Sequence, residues 1–332
     1  MKPKAQVSLL KELSMKTKEI LKNRAAVFLL AMLCCLLWGS AFPCIKLGCR
    51  FSHIASDDTF SQILYAGLRF ILAGMIALAI GSLISRKVLI IRSRSLHKAF
   101  KLSLFQTILQ YTFFYIGLSR STGMKSSVIT ASNVFLSIMV TALVFRTEKL
   151  TLRKICGCIV GFSGILLMNI SGLRGGFRLT GDGFVFMSAL SYAFSSALIK
   201  RYSQDEDPVM LSGWQFIIGG AFMTLVSLLF GGRISVINTE GILMLIYLAL
   251  VSAVAFSVWG TLIKYNNVST VSVFGFMNPV FGVILSYLIL SEKSPSGIIG
   301  TAAALILVAA GIIIVNLPFA EKGNDMSEKQ SE

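Results

Sequence analysis

The sequence predicts an all-α polytopic membrane protein, with ten transmembrane helices built from two inverted five-helix repeats. Three observations carry that expectation. The 332 residues are 55% hydrophobic and 14% charged, with mean hydropathy +0.77, whereas a water-soluble domain carries about 25% charged residues. Ten apolar runs follow one another with short connections. Four short motifs recur in the same order in the two halves. The composition excludes an ordinary cytosolic globule, and it excludes a disordered chain, which needs low hydrophobicity and high charge. In a soluble protein the net charge of +16 would suggest nucleic acid. Here the charges gather at the ends of the apolar runs, so the expected partners are a lipid bilayer and a small-molecule substrate, not nucleic acid.

A bilayer core about 30 Å thick needs about 20 apolar residues of helix. Such runs lie at roughly 25–47, 62–84, 100–119, 125–145, 153–171, 181–200, 209–231, 241–264, 268–291 and 297–317. None alternates with period two over ten residues, which argues against a β-barrel. The first run is longer than a signal-peptide core and no small-x-small site follows it, so it is expected to remain as a span. Residues 1–24 hold seven Lys/Arg against Glu12 and Glu19, with Leu9, Leu10, Leu13, Ile20 and Leu21 at roughly helical spacing. Two readings fit this segment equally: an amphipathic helix on the cytoplasmic leaflet, or a solvated basic tail. The expected organisation is a basic segment 1–24, repeats at 25–171 and 181–317, and a polar tail 318–332.

Orientation follows from Lys/Arg counts. With the N-terminus inside, inner segments hold 22: seven in the tail, six between spans two and three, four between spans four and five, and five elsewhere. Outer segments hold seven, and Lys46 and Arg69 lie within or at the edge of spans. Both termini are therefore expected in the cytoplasm and the protein in the plasma membrane. All fifteen Asp and Glu lie in loops, tails or span edges, and His53 and His97 lie in connections.

The internal repeat is visible in four places. Leu68-Arg69-Phe70-Ile71-Leu72-Ala73-Gly74 matches Trp214-Gln215-Phe216-Ile217-Ile218-Gly219-Gly220. Trp38-Gly39-Ser40 with Ile45-Lys46 matches Tyr192-Ala193-Phe194 with Ile199-Lys200. Thr147-Glu148-Lys149 matches Ser291-Glu292-Lys293, and the run Gly164 to Asn169 matches Gly311 to Asn316. Each unit has an odd number of spans, so the second enters the membrane upside-down relative to the first, an arrangement common among transporters.

Trp38-Gly39-Ser40, Leu68-Arg69-Phe70 and Asn278-Pro279-Val280-Phe281 leading to Glu292 resemble the EamA family of the drug/metabolite transporter superfamily, over about residues 25–317. The resemblance implies a central cavity lined mainly by helices one to four and six to nine, with helices five and ten peripheral. Many relatives move amino acids or other small metabolites, often outward. One departure matters: the proline expected in span four is replaced around Asn133-Val134-Phe135, which leaves a hinge there in question.

Arg69 is the most informative residue. A mid-helix charge costs about 2.5–3.5 kcal/mol on insertion scales and usually faces a bundle interior or cavity. Seven residues inside span two, it is expected roughly 10 Å deep. It can recognise a substrate carboxylate, or snorkel and tie down helix ends. Its repeat partner Gln215 is neutral, and no deep acid neutralises it, so the pathway would favour an anionic or zwitterionic ligand. Lys46, Lys200 and Lys264 sit at span ends and read as snorkelling cations. Pro43 and Pro279 each remove a backbone hydrogen bond, giving either a gate or plain curvature.

Trp38, Tyr115, Tyr192 and Trp259 lie far enough in to line a pathway, and Tyr111 is of the same type. Trp214 lies near an edge and reads as interfacial belt. Ser40, Gln110, Ser132, Asn133, Ser195, Ser196, Gln215 and Asn278 form the intramembrane polar set. Most are expected to bond across helices, at about 0.6 kcal/mol each. Asn133 and Asn278, at nearly corresponding repeat positions, are the preferred ligands, and with Ser40 and Gln215 they complete the expected pathway. The six cysteines lack zinc-site spacing and read as apolar fillers. Gly74, Gly161, Gly164, Gly219 and Gly220 permit close helix contacts.

No cofactor or metal is expected, and no phosphate-binding loop encodes direct ATP drive. The expected function is a secondary transporter exporting small polar metabolites, such as amino acids, by alternating access. Without a deep acid or histidine, facilitated diffusion, exchange, or coupling through substrate charge is favoured, while relatives keep proton coupling open. A lipid or lipid-linked sugar flippase is the alternative. A membrane enzyme is disfavoured because no deep general base or metal ligand is present.

Overall fold

The computed structural model describes residues 19–121, 123–169, 177–234, 238–290 and 297–317. Most of the basic segment 1–24, the tail 318–332 and the Ser291-Glu292-Lys293 motif lie outside the described residues. Among the described residues the chain forms ten helices and no strand. They are α1 (Arg24–Phe51), α2 (Thr59–Ser85), α3 (Ser93–Ser103, a π-helical stretch Leu104–Leu109, then Gln110–Leu118) and α4 (Gly123–Ala131, Asn133–Met139 and a π turn Val140–Val144). Then come α5 (Leu152–Asn169), α6 (a π turn Leu179–Gly183 and Phe184–Tyr202) and α7 (Pro208–Leu229). Last are α8 (Thr239–Tyr265), α9 (Val268–Ser272, a 3-10 stretch Val273–Phe276, then Met277–Leu290) and α10 (Gly297–Asn316).

Nine of these are long and apolar enough to cross a membrane. The exception is α3, whose apolar stretch is interrupted by Ser103, Gln106, Thr107 and Gln110. Ser103, Gln106 and Thr107 are buried, so this polarity is turned toward protein.

Several helices begin where a short side chain takes up orphan backbone donors. Asn23 accepts from Ala25 and Ala26 at α1, Asp58 from Ser61 at α2, and Asp207 from Val209 and Met210 at α7, with Pro208 in the first turn. The Asp58 cap starts α2 three residues before the apolar run, and α3 starts at Ser93, seven before its run. That first stretch of α3 is amphipathic: Ser95 and Lys98 bond Glu206, while Ala99 and Leu102 are buried.

The packing is two-fold. α1 lies on α8 and α9, and α6 lies on α3 and α4. α2 meets α8 as α7 meets α3, while α2 packs on α7 and α5 on α10. The contacts within these last pairs prove the register. A Cβ on Gly67 would stand 3.0 Å from the Gly220 carbonyl, and one on Gly74 2.5 Å from the Gly213 carbonyl. Gly67 and Gly74 are the repeat counterparts of Gly213 and Gly220, so each glycine meets the counterpart of the other. On α5 and α10, a Cβ on Gly157 would stand 2.9 Å from the Gly311 carbonyl, and one on Gly164 2.8 Å from the Ala304 carbonyl. Such antiparallel, reciprocal contacts require a two-fold axis perpendicular to the helices, that is, in the membrane plane. It passes beside Phe70 and Phe216, whose rings stack at 5.1 Å.

The proline missing from span four does not abolish the break there. α4 is interrupted at Ser132, whose N–H and Oγ both reach the Ile129 carbonyl, at 3.1 and 2.6 Å. A serine hydroxyl competing for a backbone carbonyl bends a helix. In α9 the 3-10 stretch ends three residues before Pro279, whose ring disfavours a helical carbonyl at Gly275. α1, by contrast, continues through Pro43 to Phe51 without interruption.

Candidate functional site

The site is built where the axis crosses α2 and α7. Arg69 is ten residues inside α2, so it lies about 15 Å along the helix axis from its start. That is deeper than the apolar run alone suggests, because α2 starts earlier. It is 2% exposed. Nε and Nη2 donate to Ser252 Oγ of α8 at 3.1 and 2.8 Å. The guanidinium carbon lies 4.9 Å from the Phe70 ring centroid, a cation–π contact. Nη1 is buried with no partner, and among the described residues no carboxylate pairs with Arg69.

Gln215 holds the image position on α7 and is fully buried. Its Oε1 accepts from Thr107 Oγ1 of α3 at 2.6 Å, and its Nε2 has no partner. The two repeats thus make the same construction with different charge: a polar side chain beside the Phe70–Phe216 stack, tied to a hydroxyl on a neighbouring helix, with one donor left over. Sequence reasoning singles out Arg69 and Gln215 but not Ser252 and Thr107. The repeat register is the usable signal, since α8 and α3 occupy corresponding places.

Aromatic side chains surround this centre. Trp38 of α1 packs edge-on against Phe256 and Trp259 of α8, each at 5.0 Å. Both indole N–H groups are buried without partners. Tyr115 and Tyr192 are buried in the cluster that contains Phe70, Phe216 and Phe256, and Tyr111 stands 4.5 Å from Phe70. Buried donors without partners are uncommon in proteins, and here several gather around one axis.

Asn133 of α4 and Asn278 of α9 come together on either side of Gly275. A Cβ on Gly275 would lie 4.0 Å from Asn133 Oδ1 and from Asn278 Nδ2. Both asparagines are half-buried, and Asn278 Oδ1 has no partner. Pro279 follows Asn278 directly and is buried.

Ser40 is not part of this group. Its Oγ donates to the Leu37 carbonyl and lies 2.7 Å from Tyr247 Oη, between α1 and α8. Pro43 lies two turns from the end of α1 beside Cys44. Lys200 does not snorkel: its ammonium donates to the carbonyls of Ile263, Lys264 and Asn266 at 2.9, 3.2 and 2.6 Å. Lys264 donates to the Glu206 carbonyl. The Trp214 indole donates to the Leu89 carbonyl at 3.1 Å. Among the described residues no group of three His, Cys, Asp or Glu is placed to hold a metal ion.

Comparison with known proteins agrees with this architecture. The profile of the EamA-like transporter family matches residues 25–170 and 179–317. A chloroplastic WAT1-related protein of Arabidopsis thaliana is 28% identical over 63% of this chain, a match spanning about half (51%) of that relative. A protein of Escherichia coli (strain K12) named as a "probable amino-acid metabolite efflux pump" is 26% identical over 87% of this chain and 94% of its own length. A solved crystal structure superimposes with TM-score 0.71 over 89% of this chain and 98% of its own, at 19% identity, which shows a shared fold.

Proposed function

The chain belongs to the EamA-like transporter family, and from that premise we propose that it moves small polar solutes bearing a compact anionic group, zwitterions such as amino acids included, by alternating access about the in-plane axis. The observation that supports this reading is the Arg69 guanidinium: buried ten residues inside α2, with no carboxylate beside it among the described residues, and with Nη1 unpartnered. An isolated buried cation is costly, and a carboxylate arriving with the solute would neutralise it through a charge-assisted hydrogen bond. Trp38, Tyr115, Tyr192 and Trp259 would flank the solute, and Asn133 and Asn278 would close the opposite side. Asn278 joins the pathway to the Pro279 break, which would serve as a hinge, as Ser132 would in α4. Export is the proposed direction, with both termini cytoplasmic in the plasma membrane.

A second reading, an amphipathic lipid-like substrate, draws on a cavity of about 320 Å³ between α2, α7 and α8. Its walls include Leu64, Leu68, Leu228, Ile242 and Leu245, and Tyr65, one turn before Arg69, also lines it.

The test is efflux from proteoliposomes loaded with amino acids, nucleosides, organic acids and polyamines, read by mass spectrometry, with empty vesicles as control. Selective loss of carboxylate-bearing solutes is expected. If nothing soluble leaves, with or without a proton gradient, while labelled lipid scrambles between leaflets, the second reading replaces the first.

A further inference from the structure

The end of the bundle that carries Arg24 holds a contact between repeats that the substrate site does not use. Glu148 lies in the connection between α4 and α5, in the first repeat. Its carboxylate reaches across to the first turn of α9, in the second. The Val268 N–H donates to it in a very short bond, the Ser269 N–H at 3.3 Å and Ser269 Oγ at 2.5 Å. Lys154 Nζ stands 3.0 Å away, and the Glu148 side chain is only 5% exposed. The arrangement matches charge to dipole: a carboxylate on the positive end of a helix, holding backbone donors that the helix cannot satisfy itself. The end of α8, just before that turn, is held by Lys200 on the carbonyls of Ile263, Lys264 and Asn266. Lys200 belongs to the second repeat, as do α8 and α9. Of these two charges, only Glu148 joins the repeats.

We propose that Glu148 is the latch of this end, and that its carboxylate must leave the N-terminus of α9 before the pathway opens toward the Arg24 end. The proposal rests on the alternating-access reading. Its mechanical content is that α4 and α9, which carry Asn133 and Asn278, separate at this end only when the Glu148 contacts break. The 3-10 stretch Val273–Phe276 and the Ser132 break lie between the latch and those asparagines, so the end segments can swing while the centre stays packed.

Cys35 is a built-in reporter. It is fully buried, and its thiol donates to the Phe274 carbonyl of α9 at 3.2 Å. A swing of the first turns of α9 would uncover it. The experiment uses the full chain with the other five cysteines replaced, reconstituted in nanodiscs, with a water-soluble maleimide and mass-spectrometric readout. Glu148→Gln keeps the shape and removes the charge. It should raise the Cys35 labelling rate on the order of tenfold, the value of one charge-assisted hydrogen bond. Ser269→Ala, which leaves the carboxylate in place, should raise it less. Lys200→Gln loosens the adjoining end of α8 from within its own repeat and should leave the rate within about twofold.

An unchanged rate in both Glu148→Gln and Ser269→Ala, in a parent whose labelling responds to transported solute, overturns the latch and spares alternating access. An equal rise in all three variants means general loosening and also overturns it. A parent whose Cys35 labelling ignores solute, while the protein still transports it, removes alternating access and the latch together.

Discussion

Exchanging the charges of Arg69 and Gln215 tests the two-fold construction of the site most directly. Arg69 has two nitrogens engaged by Ser252 and one, Nη1, without a partner. What it offers a solute carboxylate is therefore about one charge-assisted hydrogen bond, worth about 1.5–3 kcal/mol. At about 1.4 kcal/mol per decade, Arg69→Gln should cut kcat/KM for carboxylate-bearing solutes about 10- to 150-fold. Adding Gln215→Arg puts a guanidinium at the image position, where Thr107 stands as Ser252 does for Arg69. If both positions face one central site, the double variant should recover about tenfold or more of the loss. The assay is counterflow in proteoliposomes, with each variant first shown to elute as a monodisperse species. An Arg69→Gln variant that transports within about twofold of the parent would make Arg69 a structural tie between α2 and α8. A severe loss in Arg69→Gln that the folded double variant does not relieve would refute the idea that the two positions share a site.

Three further outcomes are expected. Gly220→Ala would bring a Cβ to 2.7 Å from the Gly67 carbonyl, and overpacking of this kind costs about 1–3 kcal/mol; its unfolding temperature in detergent should fall, while Gly183→Ala, whose nearest outside atom is 3.6 Å away, should not change it. Burial alone would raise the Glu206 carboxyl, but hydrogen bonds from Ser95 and Lys98 and the charges of Lys98 and Arg94 hold it below the usual carboxylate range. The resulting stability is present above the ordinary glutamate value and is lost as pH falls through the lowered one, so melting between pH 6 and about pH 3 should show a loss that Ser95→Ala makes smaller. Pro279→Ala and Ser132→Ala should each slow turnover more than they weaken solute binding; equal loss of both quantities would argue against hinges at these breaks.

The spans are legible in the sequence because a run of about 20 apolar residues matches the thickness of a bilayer core, and a soluble fold has no place for ten of them. Helix ends are not, because Asp58 as a cap and the amphipathic turn around Lys98 resemble loop when only apolar runs are scored. Arg69 stands out because charge is rare in such runs, and Gln215 follows from the repeat. Their partners do not stand out, since serines and threonines in membrane helices commonly bond their own backbone, as Ser252 also does to the Leu248 carbonyl. Ser40 departs from expectation for a related reason: the sequence places it in a helix, but the face it occupies is set by α8. The break in α4 is hidden because Ser132 is one of several serines in the polar set, and what distinguishes it is its backbone N–H, which bonds the Ile129 carbonyl three residues back.

On the proposed alternating access, the axis also says where an energetic preference between the two end states must come from. If the repeats were identical, a shape open at one end and its image open at the other would have equal free energy, and solute binding could not favour either. Any bias therefore resides in residues at which the repeats differ. Two such differences lie beside the axis and at the connection that follows α2: Arg69 against Gln215, and Leu68 against Trp214, whose indole ties α7 to the Leu89 carbonyl. The first changes which solute charge is welcome. The second adds a tie at the Arg24 end that a leucine at the counterpart position cannot make. Trp214→Leu should accordingly shift the balance toward the shape open at the Arg24 end without changing which solutes are carried, and Arg69→Gln should do the reverse. Cys35 labelling measured beside solute selectivity separates the two effects. A Trp214→Leu variant that alters selectivity but not labelling would show that bias and recognition are not divided in this way.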